Sequence, residues 1–235
     1  MKTERIKINN IPSIIWGEKS DKVFIAVHGN MSSKEDEVIK ILAKEVIGKG
    51  YQLLSFDLPE HGERKEDTKY LCKVQNCVTD LKHIMEYAKY NYDEINIWAC
   101  SMGAYFSLLA YKDENIKQSV FLSPVVDMKV IIDNMMLWSN TTEAKLREEQ
   151  EIETEFGQTL YWDYYLYVKE NPITIWNKST SILYGSKDNM QDENIIKNFA
   201  KKFDCKLSIL KNGEHYFHTE EQLNYYKKWL SEIII

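Results

Sequence analysis

Short apolar runs recur along the chain at 22–27 (KVFIAV), 51–56 (YQLLSF), 95–99 (INIWA), 118–122 (QSVFL), 181–184 (SILY) and 206–210 (KLSIL). Most are continuous rather than alternating, which is the mark of strands buried on both faces of a parallel sheet. Segments of helical period separate them. Ser33, with Asp36 three residues on, predicts the N-cap of a helix carrying Val38, Ile39, Leu42 and Val46, which Gly48 or Gly50 ends. A second helix within 71–90 aligns Leu81, Ile84, Met85 and Ala88. A last one starts at Thr219 with Gln222 as its capping-box partner and buries Leu223, Tyr226 and Leu230. Strand and helix alternate, so the fold class is α/β, a central and mostly parallel sheet flanked by helices.

Two segments depart from the alternation. Residues 6–16 hold short apolar runs around Pro12 and predict an antiparallel hairpin at a sheet edge. Residues 124–178 hold no convincing parallel strand, although the runs on either side read as neighbours in one sheet. So long an excursion predicts a functional insertion: a mainly helical cap on a single domain whose core is 1–123 and 179–235. Within it 143–155 reads as a charged helix, and Tyr161, Trp162, Tyr164, Tyr165 and Tyr167 crowd together.

The 235 residues, 44% apolar and 28% charged, suit one globular domain and exclude disordered or collagen-like classes. Lys plus Arg number 30 against 36 Asp plus Glu, a formal charge of −6 that offers no footprint for nucleic acid. Ten of the acids and five of the bases fall in 124–178, so the insertion carries most of the net charge and the rest is close to neutral. The first ten residues, MKTERIKINN, lack a signal-like apolar core, and no run is long enough to span a membrane. A cytoplasmic protein is expected. Cys72, Cys77, Cys100 and Cys205 form no CxxC pair and are expected to be free thiols. A metal cluster of Cys72, Cys77 and His83 is the sharp alternative. Read as helix, however, the five-residue spacing turns about 140° away from one face, and no metal is expected.

The chemistry concentrates after the third long run. Residues 95–99 lead into Cys100-Ser101-Met102-Gly103-Ala104, and a helical pattern continues to Tyr111. Small-x-Ser-x-Gly between a buried strand and a helix is the arrangement of a nucleophile elbow, a turn tight enough to exclude bulky neighbours. Ala99 stands where glycine is usual. An activated serine needs a base, and the base needs an orienting acid, both from loops after later strands. Tyr184-Gly185-Ser186-Lys187-Asp188 and Asn212-Gly213-Glu214-His215 supply them in the order Ser101, Asp188, His215.

With these motifs, and with His28-Gly29 and Asp57-Leu58-Pro59-Glu60-His61-Gly62 after earlier strands, the sequence resembles the α/β-hydrolase superfamily over nearly its whole length. The resemblance implies an oxyanion hole of two backbone N–H groups, carried here onto Met102 and Asn30, with Met31 the alternative second donor. It implies a serine hydrolase of a small-molecule ester, without cofactor, as a monomer or a homodimer. Amino- or imino-peptidases, thioesterases and ligand-binding members that lack activity share the architecture. His218 competes with His215 as base, Asp127 and Asp192 compete with Asp188 as acid, and Cys100 with Ser101 as nucleophile. His28, His61 and Asp57 read as residues that shape turns, and His83 as a helix-surface residue. Trp138, Trp162 and nearby tyrosines either roof a substrate pocket or form the insertion's own small core.

Overall fold

The computed structural model describes residues 1–235. It opens with β1 (Thr3–Ile8) and β2 (Ile11–Trp16), the antiparallel hairpin expected there. Asn9 and Asn10 make its two-residue turn, both at positive φ (48° and 67°), the conformation that matches the twist of paired strands. There follow β3 (Lys22–Val27), α1 (Glu37–Gly48), β4 (Gln52–Phe56), α2 (Val74–Asn91), β5 (Glu94–Cys100), α3 (Met102–Ala110) and β6 (Ser119–Leu122). The excursion contributes α4 (Met128–Trp138), α5 (Glu143–Glu149), β7 (Glu151–Glu153), β8 (Thr159–Tyr161) and α6 (Trp162–Glu170). The chain ends with β9 (Thr180–Gly185), α7 (Glu193–Lys202), β10 (Lys206–Leu210) and α8 (Glu220–Ile233). No helix is long and apolar enough to cross a membrane.

Eight strands form one sheet in the order β1-β2-β4-β3-β5-β6-β9-β10, parallel from β4 to β10 and antiparallel at the β1 and β2 edge. Both faces are covered, which explains the continuous apolar runs. In β3, Val23, Ile25 and Val27 enter a 43-residue cluster with α2 and α3, while Phe24 and Ala26 enter a 20-residue cluster with α1 and α8. From β3 the chain goes out to β4 and then returns past β3 to β5. This reversal places the loops after β3 and β5 side by side at the carboxyl ends of the strands, where open α/β sheets bind ligands.

Several local expectations need correcting. Helix α1 is capped by Asp36, not Ser33; Ser33 instead closes the preceding turn, its carbonyl accepting from Asp36 N at 3.2 Å. At the last helix Thr219 does cap, accepting from Gln222 N, but the Gln222 amide oxygen takes the N–H of His218, one residue before the cap. The charged helix expected over 143–155 stops at Glu149. Gln150 turns to φ 66°, and the chain continues as β7 paired with β8. Cys72 lies before α2 rather than within it, so the turn per residue of a helix does not separate it from Cys77: their sulfurs are 3.5 Å apart.

Candidate active site

Ser101 occupies the turn between β5 and α3 at φ 52° and ψ −125°, a region costly for any side chain. Three hydrogen bonds hold it there. Its N–H donates to Leu122 O (3.2 Å), and its carbonyl accepts from Ala104 N and Val125 N (3.0 Å each). The glycines around it meet a steric demand. A Cβ on Gly103 would lie 2.3 Å from the His28 carbonyl oxygen, and one on Gly29 would lie 2.9 Å from the Ser101 Cβ. Ala99, where glycine is usual, is fully buried and accommodated.

The His215 Nε2 lies 2.9 Å from Ser101 Oγ, and its Nδ1 lies 2.7 Å from Asp188 Oδ2. Asp188 is nearly inaccessible, and its second oxygen accepts from Met190 N at 2.8 Å. With Nδ1–H donated to the carboxylate, Nε2 is free to accept from the serine hydroxyl. The loops carrying these residues brace each other. Lys187 N donates to Gly213 O (2.7 Å), Asn212 N to Ser186 Oγ (2.8 Å), and a Cβ on Gly185 would strike the Gly213 backbone at 2.5 Å.

The rival side chains are engaged elsewhere. His218 stacks on Tyr216 and hydrogen-bonds its carbonyl; Asp127 caps α4 and Asp192 caps α7. Burial pushes the Cys100 thiol up to about 12, the opposite of what a nucleophile needs. Trp138 is exposed and packs edge-on against Phe156, while Trp162 is half-buried beside Tyr165. Their ring partners are therefore other aromatics of the excursion.

The loop after β3 is fixed from below. His28, buried and neutral with its pKa lowered to about 4 by desolvation, donates from Nδ1 to Gly29 O (2.7 Å) and accepts Leu58 N at Nε2 (3.0 Å). His61 Nδ1 donates to Pro59 O (2.7 Å), and its Nε2 sits 3.2 Å from the side-chain amide of Asn30. Asn30 and Met31, the expected oxyanion loop, are thus tied to the turn after β4, with Met31 exposed at φ 57°. Met102 is the first residue of α3, where helix geometry leaves the N–H without an intrahelical partner. Two cavities, of about 490 and 420 Å³, lie elsewhere and none of Ser101, Asp188 or His215 lines them.

Residues 18–160 match the family model described as serine aminopeptidase, S33. The chain belongs to this α/β-hydrolase family. No curated protein matches the hydrolase in sequence. Among solved structures it is similar to Est1E from Butyrivibrio proteoclasticus with ferulic acid bound: 21% identity over 97% of this chain and 96% of that one, TM-score 0.76. It is also similar to mouse alpha/beta hydrolase domain-containing protein 10 (12% identity, 99% and 98% covered, TM-score 0.77). An esterase of Pyrococcus furiosus is a third (19%, 98% and 88%, TM-score 0.68). At these identities the likeness is one of fold.

Two supporting residues of the hydrolase escaped the sequence reading. Lys34 is buried with its ammonium on the carboxylate of Asp57, which also accepts Lys34 N and Glu63 N (2.9 Å each), so one buried ion pair ties the β3 loop to the β4 turn. Gln191 is buried beside the Asp188 loop. Its Oε1 accepts Val126 N (3.0 Å) and Asp127 N (2.9 Å), and its Nε2 donates to Asp127 O (3.2 Å). A lysine and a glutamine in loops carry no periodic signal of burial.

Proposed function

We propose that this hydrolase cleaves a carboxylic ester of a small or medium acyl or aromatic acid through an acyl-enzyme on Ser101. The observation that carries the reading is the position of His215, in hydrogen-bond reach of both Ser101 Oγ and Asp188. His215 takes the serine proton as Oγ attacks the ester carbonyl, and Asp188 stabilises the imidazolium. The backbone N–H groups of Asn30 and Met102 hold the tetrahedral oxyanion, a contribution of about 3 kcal/mol per donor in sites of this kind. His215 then protonates the leaving alcohol, and a water activated by the same nitrogen releases the acid. Every step draws on groups of the chain and water.

Residues 124–178 act as the cap in this reading and set specificity, with Met31, Trp138 and Trp162 as substrate contacts. The ferulic acid bound to Est1E supports an aromatic acyl group. The family description favours one second reading, release of an N-terminal amino acid, for which the acidic excursion would hold the substrate ammonium. In both readings the substrate is a small molecule met in the cytoplasm.

A fluorophosphonate probe should label Ser101 in the wild type and leave Ser101→Ala unlabelled; labelling that persists in the variant sinks the assignment. A kinetic panel of hydroxycinnamoyl and short-chain acyl esters, thioesters and aminoacyl anilides separates the two substrate readings. Ester turnover is expected, and turnover of the anilides alone establishes the peptidase.

A further inference from the structure

Two thiols meet in a way the hydrolytic chemistry does not use. Cys72 is half-buried just before α2, and Cys77 is fully buried one turn into it. Their sulfurs lie 3.5 Å apart, within about 1.5 Å of a disulfide bond length. A fixed helix on one side and an irregular segment on the other allow that approach by movement of Cys72 alone. The Cys72 N–H also donates to the Glu60 carboxylate, which places the thiol beside the turn that carries His61.

We propose that Cys72 and Cys77 form a dithiol modification site that a hydroperoxide oxidises to an intramolecular disulfide. Cys72 is the attacking sulfur and Cys77 the resolving one. The asymmetry of the two environments supports these roles. A hydrogen bond from Cys77, joined by His61, pulls the Cys72 thiol down to about 6, whereas burial holds the Cys77 thiol far above its ordinary range. His61 answers with a raised pKa: burial is the largest influence and opposes its charge, but Cys72, the Pro59 carbonyl and the Glu60 carboxylate together outweigh it. The remaining thiols are poor competitors, Cys100 raised to about 12 and Cys205 to about 11, both by burial.

In the first step the Cys72 thiolate attacks the terminal oxygen of the hydroperoxide. An S–O bond forms, the O–O bond breaks, and the released alkoxide or hydroxide takes a proton from solvent. Cys72 is oxidised by two electrons to the sulfenic acid and the peroxide is reduced. The Cys77 sulfur then attacks the Cys72 sulfur. An S–S bond forms, the S–O bond breaks, and hydroxide leaves with the Cys77 proton as water. A dithiol reductant reverses the reaction by exchange.

The test uses the whole wild-type chain and hydrogen peroxide at a few equivalents. Intact mass should fall by two hydrogens, and tryptic digestion should join peptide 70–73 to peptide 74–82 until dithiothreitol parts them. In Cys77→Ala the sulfenic acid on Cys72 should persist and be trapped by dimedone, while Cys72→Ser should take up neither oxygen nor dimedone under the same exposure. Alkylation of the unoxidised wild type at neutral pH should reach Cys72 before Cys205, a comparison that needs no variant. Peroxide that leaves the mass unchanged overturns the proposal, as does oxygen added to Cys205 as fast as to Cys72. The readout is covalent, so it stands or falls independently of the esterase reading.

Discussion

Ser101 is held at φ 52° by its neighbours rather than by its own preference, and this strain can be separated from its chemistry. Such a position is worth about 1 to 3 kcal/mol of strain for a residue with a Cβ, and glycine is relieved of it. Replacing serine by alanine or by glycine removes the same hydroxyl. Both variants should lose all detectable turnover, but Ser101→Gly should be more stable than Ser101→Ala by about 1 kcal/mol after the greater flexibility of unfolded glycine is deducted. Urea denaturation of the pair checks this, and equal midpoints would mean the turn is unstrained. His28 supplies a second measurable quantity. The fold lowers its pKa from 6.5 to about 4, so between those pH values the unfolded chain binds a proton that the native chain refuses, and stability must fall as pH falls through that window. Against a His28→Gln variant, the wild type's advantage at pH 7 should shrink by about 2 to 3 kcal/mol at pH 4.5. An advantage that does not change with pH would show that His28 titrates alike in both states. The hydrogen-bonded approach of Ser101, Asp188 and His215 was legible in the chain because each sits in a short turn motif tied to one strand end. Lys34 and Cys72 were not. A buried lysine is identified only by Asp57, distant in sequence, and the Cys72–Cys77 approach depends on α2 starting at Val74 rather than earlier.

The elements that carry the loops are legible in the sequence where burial alone dictates them, and not where a single polar residue decides the boundary. Strands β3 to β6 and β9 are buried over nearly their whole length and mostly apolar because both faces are covered, so their existence follows from composition. The end of α5 follows instead from Gln150 adopting a left-handed conformation, which a charged run such as EEQEIE does not announce. Gln191 shows how one residue can join elements. It satisfies two N–H groups, one buried and one partly buried, at the start of the excursion from a position three residues after Asp188. Gln191→Leu keeps the volume and removes both acceptances. Each orphaned donor is worth about 1 to 3 kcal/mol, so the variant should lose about 2 to 4 kcal/mol, measurable by denaturant unfolding. A loss under 1 kcal/mol would show that water enters to replace the amide.

The excursion between β6 and β9 carries most of the net charge, yet it is not a detached lobe. Strands β6 and β9 pair directly, so the sheet closes without it, but Leu146, Leu160, Tyr165 and Val168 lie in the same buried cluster as α2 and α3. Polar contacts, one of them to an acid, Asp163, also tie it to the rest of the chain. Lys73 Nζ lies 2.7 Å from Asp163 and over the Tyr161 ring at 4.4 Å, and Gln75 donates to Asp163 O at 3.1 Å. Lys202, on α7, donates to Ile173 O at 3.2 Å. A segment that shares its apolar core with two helices of the main layer cannot release that core without exposing theirs, so excursion and sheet should unfold together. Tryptophan position makes this testable. Trp138, Trp162 and Trp176 report from the excursion and its return to the sheet, but Trp16, Trp98 and Trp229 report from the main layer. The fluorescence difference between wild type and Trp162→Phe therefore isolates the excursion, whereas far-UV circular dichroism is dominated by the helices that flank the sheet. The fluorescence and dichroism transitions in guanidinium chloride should coincide within error. If fluorescence moves first, the buried contacts of Leu160, Tyr165 and Val168 are too weak to couple the excursion to the sheet, and it opens as a unit of its own.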